Sequence, residues 1–212
     1  MVSSTEATPP VQAQSSSFRW IQLAMGIVCM AMIANLQYGW TLFVDPIDAK
    51  YHWGRTAIQL AFTIFVVTET WLVPVEAWFV DKYGPRIVVL VGGVLCAIGW
   101  MINAYATSLN GYYLGMIIAG IGAGGVYGTC VGNALKWFPD KRGLAAGITA
   151  AGFGAGSALT VAPIQAMIRD SGFQTTFLYF GLGQGIIIVI LAFFLFAPKE
   201  GQVPAATQNA NL

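Results

Sequence analysis

Residues 81–86 read DKYGPR and lie between two long apolar runs. Gly84 permits backbone angles that other residues avoid, and Pro85 fixes its own φ angle, so the chain is expected to turn here. The ionised side chains of this stretch cannot enter lipid, which predicts a short polar loop at a membrane surface. The loop would join two membrane-spanning helices, one on each side.

The composition is that of an integral membrane protein. Of the 212 residues, 57% are hydrophobic and only 9% are charged, and the mean hydropathy is +0.68, well above that of ordinary water-soluble domains. A net charge of +1 provides no field that would recruit nucleic acid. The expected surroundings are therefore a lipid bilayer, with no nucleic-acid partner. Each cysteine lies within an apolar run, which predicts free, buried thiols at Cys29, Cys96 and Cys130.

Six apolar segments are long enough to span a bilayer, because about 20 residues cross roughly 30 Å of hydrocarbon. They are residues 20–43, 56–79, 87–106, 112–135, 143–168 and 173–197. Turn signals separate them, beginning with Asp45-Pro46 after the first segment. Residues 1–17 are predicted to be a disordered cytoplasmic tail and residues 199–212 a polar C-terminal tail. Residues 18–198 then form an all-α transmembrane half-domain, in which three spans followed by three spans suggest a 3+3 repeat.

The basic residues predict the orientation of the chain in the membrane. Seven of the ten Lys and Arg residues lie on the side of both predicted termini, and the other three are Lys50, Arg55 and Arg169. By the positive-inside rule, both termini and residues 81–86 are expected in the cytoplasm. An even number of spans agrees with this assignment.

Glycines recur every four residues in the fourth segment, at Gly120, Gly124, Gly128 and Gly132. This spacing puts small residues on one stripe of a helix, where a neighbouring helix can approach closely. Packing is favoured over a hinge, although the two interpretations are compatible in a transporter whose helices slide.

The predicted spans carry polar and aromatic residues but no Lys or Arg in their middle portions. An organic anion would therefore meet only neutral donors and helix dipoles at membrane depth, and any cationic counter-charge must come from elsewhere. Gln37 and Tyr38 interrupt the first span, and Tyr127 lies among the glycines of the fourth. Such groups need partners in lipid, either in a water-filled cavity or through hydrogen bonds between helices.

Glu69 and Glu76 are the only acidic residues within a predicted span, and their spacing of seven puts them on one helix face. A charge near mid-bilayer costs about 2.5–3.5 kcal/mol on insertion scales, so such acids are functional candidates. Glu69 is a candidate to bind a proton or a cation, or it is a structural, hydrogen-bonded acid. Glu76 could pair with Lys82 or Arg86 or extend toward water, and pairing is favoured.

The sequence contains no motif of an enzyme. The one histidine, His52, has no cysteine or second histidine near it to complete a metal site. Phosphate-binding loops, dinucleotide fingerprints and nucleophile elbows are missing from the sequence as well. We therefore expect neither catalysis nor a cofactor or metal.

Residues 77–86, AWFVDKYGPR, resemble the loop between helices two and three of the major facilitator superfamily, usually G-x-x-x-D-R/K-x-G-R-R/K. Ala77 stands for the leading glycine and Pro85 for a basic residue. Three blocks, QYGWTL at 37–42, DKYGPR at 81–86 and WFPDKRGLA at 137–145, are together similar to the oxalate:formate antiporter family. The resemblance extends from about residue 20 to residue 198.

This resemblance implies a twelve-helix secondary transporter that moves small carboxylates across the inner membrane by alternating access. By the same resemblance, Gln37, Tyr38 and Tyr127 would surround the carboxylate, and helices one and four would line its cavity. Phe153 occupies a position where oxalate carriers have a tyrosine, so a monocarboxylate such as lactate or pyruvate rivals oxalate or formate. Glu69 lies where an oxalate carrier has a neutral glutamine, which leaves proton coupling open.

The chain matches only the first six helices of that family, whose anion-binding basic residues lie in the second six. It is therefore expected to be an N-terminal half, or a half-transporter completed by a C-terminal six-helix half or a second chain that supplies basic residues. The rival interpretation is a non-transporting six-helix scaffold. The resemblance implies that Asp81 and Arg86 form a latch between helix ends. The gating residues would be Asp81, Lys82, Gly84, Arg86, Asp140 and Arg142.

Overall fold

The computed structural model describes residues 16–199 and 201–203. Within these residues the chain forms α-helices and no β-strand. The helices are α1 (Ser16–Tyr38), α2 (Thr41–Tyr51), α3 (Arg55–Trp71), α4 (Val73–Tyr83), α5 (Pro85–Tyr105), α6 (Leu109–Trp137), α7 (Arg142–Ser171) and α8 (Phe173–Ala192).

The prediction of an all-helical membrane protein with six spans is confirmed. Five stretches of helix in the described residues are long and apolar enough to cross a membrane, the first being α1 and α2 together over Ser17–Tyr51. Helices α3 and α4 form a sixth candidate span that is bent by 47°. The two predicted tails lie mostly outside the described residues, although Ser16 and Ser17 already belong to α1.

The predicted break at Asp45-Pro46 is wrong, because Pro46 lies inside α2. The break occurs earlier, at Gly39 and Trp40, where the backbone tightens into i→i+3 hydrogen bonds such as Phe43 N to Trp40 O at 3.0 Å. Because the helix restarts at Thr41, Pro46 lies little more than one turn inside it and interrupts few hydrogen bonds. The first span therefore continues to Tyr51.

The predicted turn at residues 81–86 is confirmed, but the predicted polar loop is wrong. Gly84 has φ 82° and separates α4, which ends at Tyr83, from α5, which begins at Pro85. Glycine after a helix end and proline at a first helical position are the residues that these backbone conformations favour. Asp81 therefore lies on the last turn of α4, and Arg86 on the first turn of α5.

The second span is bent at Leu72 instead of continuing straight through residues 56–79. Pro74 has no N–H to bond to the carbonyl group of Thr70, and its ring is crowded by that carbonyl, which is a common cause of sharp bends. After the bend, α4 has no buried residue. This arrangement leaves room between α4 and the neighbouring helices.

Glycines bring α6 and α7 close to their neighbours at specific positions. A Cβ atom at Gly124 of α6 would lie 2.6 Å from the carbonyl oxygen of Glu69, and one at Gly156 of α7 would collide with the backbone of Ala31 in α1. These contacts support the packing interpretation of the glycine stripe. Gly128 and Gly132, in contrast, face open space.

A stack of aromatic rings joins α2, α5 and α8 in the core. Phe43 stacks on Phe177 with ring centroids 4.0 Å apart, and Trp100 meets the same ring edge-on at 5.2 Å. Such contacts add to the stabilisation from apolar burial. The prediction for the cysteines is confirmed, since all three are free and buried.

Charged residues gather at the two ends of the bundle. Arg19 bonds to Asp140, and Lys136 bonds to Asp81, at the end that carries Gly84. Lys50 donates a hydrogen bond to Gln174 at the opposite end. The separation agrees with the unequal distribution of Lys and Arg in the sequence.

Candidate functional site

Three of the predicted substrate-binding residues lie together on neighbouring helices. Tyr38 of α1 meets the ring of Phe153 of α7 edge-on, with centroids 5.3 Å apart and planes at 62°. Tyr127 of α6 meets the same ring at 5.5 Å and 88°. We call Tyr38, Tyr127 and Phe153 the aromatic platform.

The platform has a buried base and two accessible tyrosines. Phe153 is 7% exposed, whereas Tyr38 is 50% and Tyr127 37% exposed. Neither tyrosine hydroxyl forms a hydrogen bond with the described residues, unlike that of Tyr113, which bonds to a backbone carbonyl. Two hydroxyl groups therefore remain available to a ligand, on rings that Phe153 holds in place.

Among the described residues, the platform forms one wall of a site and does not enclose a cavity. Its tyrosines lie on an open face of α1, α6 and α7, because the described helices cover only its buried side. The ten Lys and Arg residues of the chain lie at the helix ends or outside the helices, so the platform contains no cation. To an anion, the platform offers hydroxyl donors and the weakly positive edges of aromatic rings.

The two polar residues near Tyr38 on α1 differ in their surroundings. Asn35 is fully buried and accepts a hydrogen bond from Thr160 of α7, so it joins two helices. Gln37 is partly buried and takes no part in the ring contacts of the platform. The sequence interpretation missed Thr160, although its position four residues after Gly156, on the same face of α7, is a signal that could have identified it.

The predicted latch residues do not bond to each other. Asp81 accepts from Lys136 of α6 at 3.2 Å, whereas the Arg86 guanidinium lies 5.1 Å from the ring centre of Phe193. The turn at Gly84 explains this difference: Asp81 on α4 faces α6, and Arg86 on α5 faces the end of α8. Lys82 lies over the ring of Trp78 at 4.7 Å.

Asp140 has a partner that the sequence interpretation did not identify. Nη1 of Arg19 donates to both carboxylate oxygens of Asp140, at 3.0 and 3.2 Å, and the guanidinium lies 4.7 Å from the ring centre of Phe138. This ion pair connects the start of α1 to the segment between α6 and α7. Arg142 is exposed at the start of α7. No local signal identified Arg19, because its partner is 121 residues away.

The two acidic residues of the second span lie on opposite sides of its bend. Glu69 is buried near the end of α3. The expected pairing of Glu76 with Lys82 or Arg86 is wrong, because both carboxylate oxygens of Glu76 are buried without a hydrogen-bond partner. The bend turns Glu76 toward α6, where both oxygens would lie 3.0 Å from a Cβ atom at Gly124.

Comparison with known proteins gives a consistent result. The family model of the Major Facilitator Superfamily matches residues 23–210. The oxalate:formate antiporter of Oxalobacter formigenes is 38% identical over 182 residues, 86% of this chain and 44% of that protein. An uncharacterised 38 kDa protein encoded in the 23S RNA operon of Thermoproteus tenax is 32% identical over 177 residues, 84% of this chain and 47% of that protein.

A human relative extends the comparison to another group of carboxylate carriers. Monocarboxylate transporter 11 of Homo sapiens is 29% identical over 183 residues, which is 84% of this chain and 38% of that protein. The chain thus spans less than half the length of each of these three relatives.

Proposed function

Because the chain belongs to the major facilitator superfamily of membrane transporters, we propose that it forms the N-terminal half of a carrier for a small carboxylate such as oxalate or formate. The carrier works by alternating access and lies in the inner membrane, with both termini in the cytoplasm. The observation that carries this proposal is the aromatic platform, whose free tyrosine hydroxyls face away from the described helices.

In this proposal the two halves of the carrier divide the work of binding. Tyr38, Tyr127 and Gln37 donate neutral hydrogen bonds to the carboxylate, and Phe153 supports the two rings from below. Lys or Arg residues of a C-terminal six-helix half, in the same chain or a second one, neutralise the charge. Hydrogen bonds to a charged group contribute about 1.5–3 kcal/mol each, so two hydroxyls orient the substrate without holding it irreversibly.

A monocarboxylate with an alkyl group, such as lactate or pyruvate, is a second candidate substrate, and one observation favours it. Phe153 places an apolar ring between the two tyrosines, which suits a ligand with a carboxylate at one end and an alkyl group at the other. The monocarboxylate transporter relative is consistent with this candidate. In the same proposal, Glu69 binds a proton that moves together with the monocarboxylate.

Uptake by reconstituted liposomes tests the proposed function. The full chain would be assayed with labelled oxalate, formate and lactate, alone and together with a six-helix C-terminal half that carries Lys or Arg in mid-helix. We expect uptake only with both halves present, and the preferred acid then identifies the substrate. Uptake by the chain alone that Tyr127→Ala leaves unchanged would contradict this division of work. Absence of uptake of all three acids with both halves present would favour the scaffold.

The ion pair between Asp81 and Lys136 is proposed to latch α4 to α6 in one state of the transport cycle. Both side chains are exposed, so the pair contributes only about 0.2–1 kcal/mol to stability, enough to alter the balance of two states. Asp81→Asn is expected to slow transport severalfold with little change in the half-saturating concentration. Kinetics of labelled uptake would measure both quantities.

The double exchange Asp81→Lys with Lys136→Asp is the matched control, since it restores an ion pair of reversed polarity. It should recover much of the rate that Asp81→Asn loses. A large loss of affinity at an unchanged rate would show that Asp81 acts on substrate binding and not as a latch.

A further inference from the structure

A second polar site lies beneath the bend of the second span, apart from the aromatic platform. A cavity of about 190 Å³ runs between α4, the start of α5 and α6. It extends between Glu76 and the ion pair of Asp81 with Lys136 at the helix ends, and Thr129 and Asn133 of α6 line it. Neither the proposed carboxylate site nor the latch accounts for its interior.

The interior of this cavity contains buried polar atoms that form no hydrogen bond with any residue the structure describes. Thr129 is 2% and Asn133 5% exposed, and Oγ1 of the first and Oδ1 of the second have no hydrogen-bond partner. Both oxygens of the Glu76 carboxylate are likewise buried and have no hydrogen-bond partner among the described residues. Buried polar atoms of this kind are normally satisfied by water, and the cavity is large enough to hold it.

Among the described residues, no positive charge pairs with the Glu76 carboxylate. Glu69 precedes it on the other side of the bend, Lys136 is bonded to Asp81, and Lys82 and Arg86 lie over the aromatic rings named above. The elements packed against Glu76 contribute no further charged side chain to the cavity. An uncompensated carboxylate at this depth favours binding a proton or another cation.

The arrangement of the oxygens distinguishes between these two ligands. Glu76 lies beside Gly124, and Thr129 and Asn133 follow five and nine residues later on α6, about 7.5 and 13.5 Å along the axis at 1.5 Å per residue. A bound cation such as Ca²⁺ instead gathers its oxygens within about 2.6 Å. Polar groups spread in a row along a wet cavity are suited to carrying a proton through hydrogen-bonded water.

We propose that Glu76 is a proton-binding site, reached from the end of the bundle that carries Asp81 and Lys136 through water that passes Asn133 and Thr129. A hydronium ion transfers its proton to the carboxylate, leaving water and a neutral carboxyl group, and the reverse step returns the proton. Coupling of this proton to substrate movement rests on the proposed function. In that case Glu76 is a second coupling acid beside Glu69.

Carbodiimide labelling tests proton binding without any need for transport. Dicyclohexylcarbodiimide reacts with protonated carboxyl groups in apolar surroundings, and mass spectrometry of the full chain in liposomes would locate the adduct. We expect the extent of labelling at Glu76 to fall at least tenfold as the pH rises. The variant Glu76→Gln should show no label at position 76. Exposed Asp81 is the internal control and should stay unmodified. Failure to modify Glu76 at any pH would overturn the proposal.

Thiol accessibility tests the water path, in a chain whose three native cysteines are replaced by alanine. Asn133→Cys should react with a water-soluble thiol reagent at least tenfold faster than Ala134→Cys. Ala134 is a matched control because it is the next residue on α6 and equally buried, at 4% exposed, but does not line the cavity. Equal rates at the two positions would contradict the path.

These two measurements separate the proton site from the proposed function. If labelling and access give the expected results and no carboxylate is transported, the proton site stands and the carrier function fails. If uptake does occur, Glu76→Gln should abolish its response to a pH gradient. An unchanged response to the gradient would remove Glu76 from coupling.

Discussion

Replacing Gly156 by leucine is expected to lower the melting temperature of the protein more than any other single change considered. A Cβ atom at this position would collide with the backbone of Ala31, which cannot rotate away as a flexible side chain can. Helices α1 and α7 would have to separate, and the hydrogen bond from Thr160 to Asn35 would be lost with them. Overpacking typically costs 1–3 kcal/mol, or roughly 3–10 °C for a chain of this size.

Gly154→Leu provides the matched control, because it adds the same side chain two residues earlier on α7, where a Cβ atom meets nothing within 4 Å. We expect a shift of at most about 2 °C for this variant. Thermal unfolding of the two variants in the same detergent measures the difference. Equal shifts would show that α1 and α7 do not pack through Gly156.

Removing both platform hydroxyls is expected to have the largest effect on transport. Tyr38→Phe and Tyr127→Phe each keep the ring against Phe153 but remove one donor to the carboxylate. At about 1.5 kcal/mol, the lower end of the range for hydrogen bonds to charged groups, each loss corresponds to roughly tenfold in affinity, since about 1.4 kcal/mol is a factor of ten. The half-saturating concentration for uptake should therefore rise about tenfold in each variant and about a hundredfold in both together.

Tyr179→Phe tests whether any exposed tyrosine would give the same result. Tyr179 lies on α8 and is 64% exposed, so its hydroxyl is as accessible as those of the platform, but it makes no contact with Phe153. Its removal should leave the half-saturating concentration within about twofold of the original. An equal rise in all three variants would remove the special role of the platform.

The spans and the sharp turn could be predicted from the sequence because they depend on local properties. The length of an apolar run determines whether it crosses a membrane, and Gly84 followed by Pro85 fixes a turn through backbone geometry alone. The prolines were harder to interpret. Pro46 lies within a helix, little more than one turn after the restart at Thr41, whereas the bend at Leu72 lies just before Pro74.

Partners between helices could not be predicted, because they depend on distances across the bundle. Asp81 bonds to Lys136, 55 residues away, and not to Arg86 on the adjoining helix. Glu76 turns away from the nearby cations because of a bend whose angle the sequence does not specify. The tyrosines of the platform were candidates through family resemblance, and their meeting at Phe153 needed the packing of three helices.

Substrate protection of a cysteine at position 38 tests the central claim, that the aromatic platform binds the carboxylate. Tyr38→Cys would be placed in a chain without native cysteines, assembled with its second half, and treated with a water-soluble thiol reagent; Tyr179→Cys serves as control. We predict that the thiol at position 38 reacts, and that saturating oxalate or formate slows its reaction at least fivefold while leaving position 179 unaffected. The claim would be contradicted if the thiol at position 38 does not react. It would also be contradicted if none of the transported carboxylates slows the reaction of that thiol.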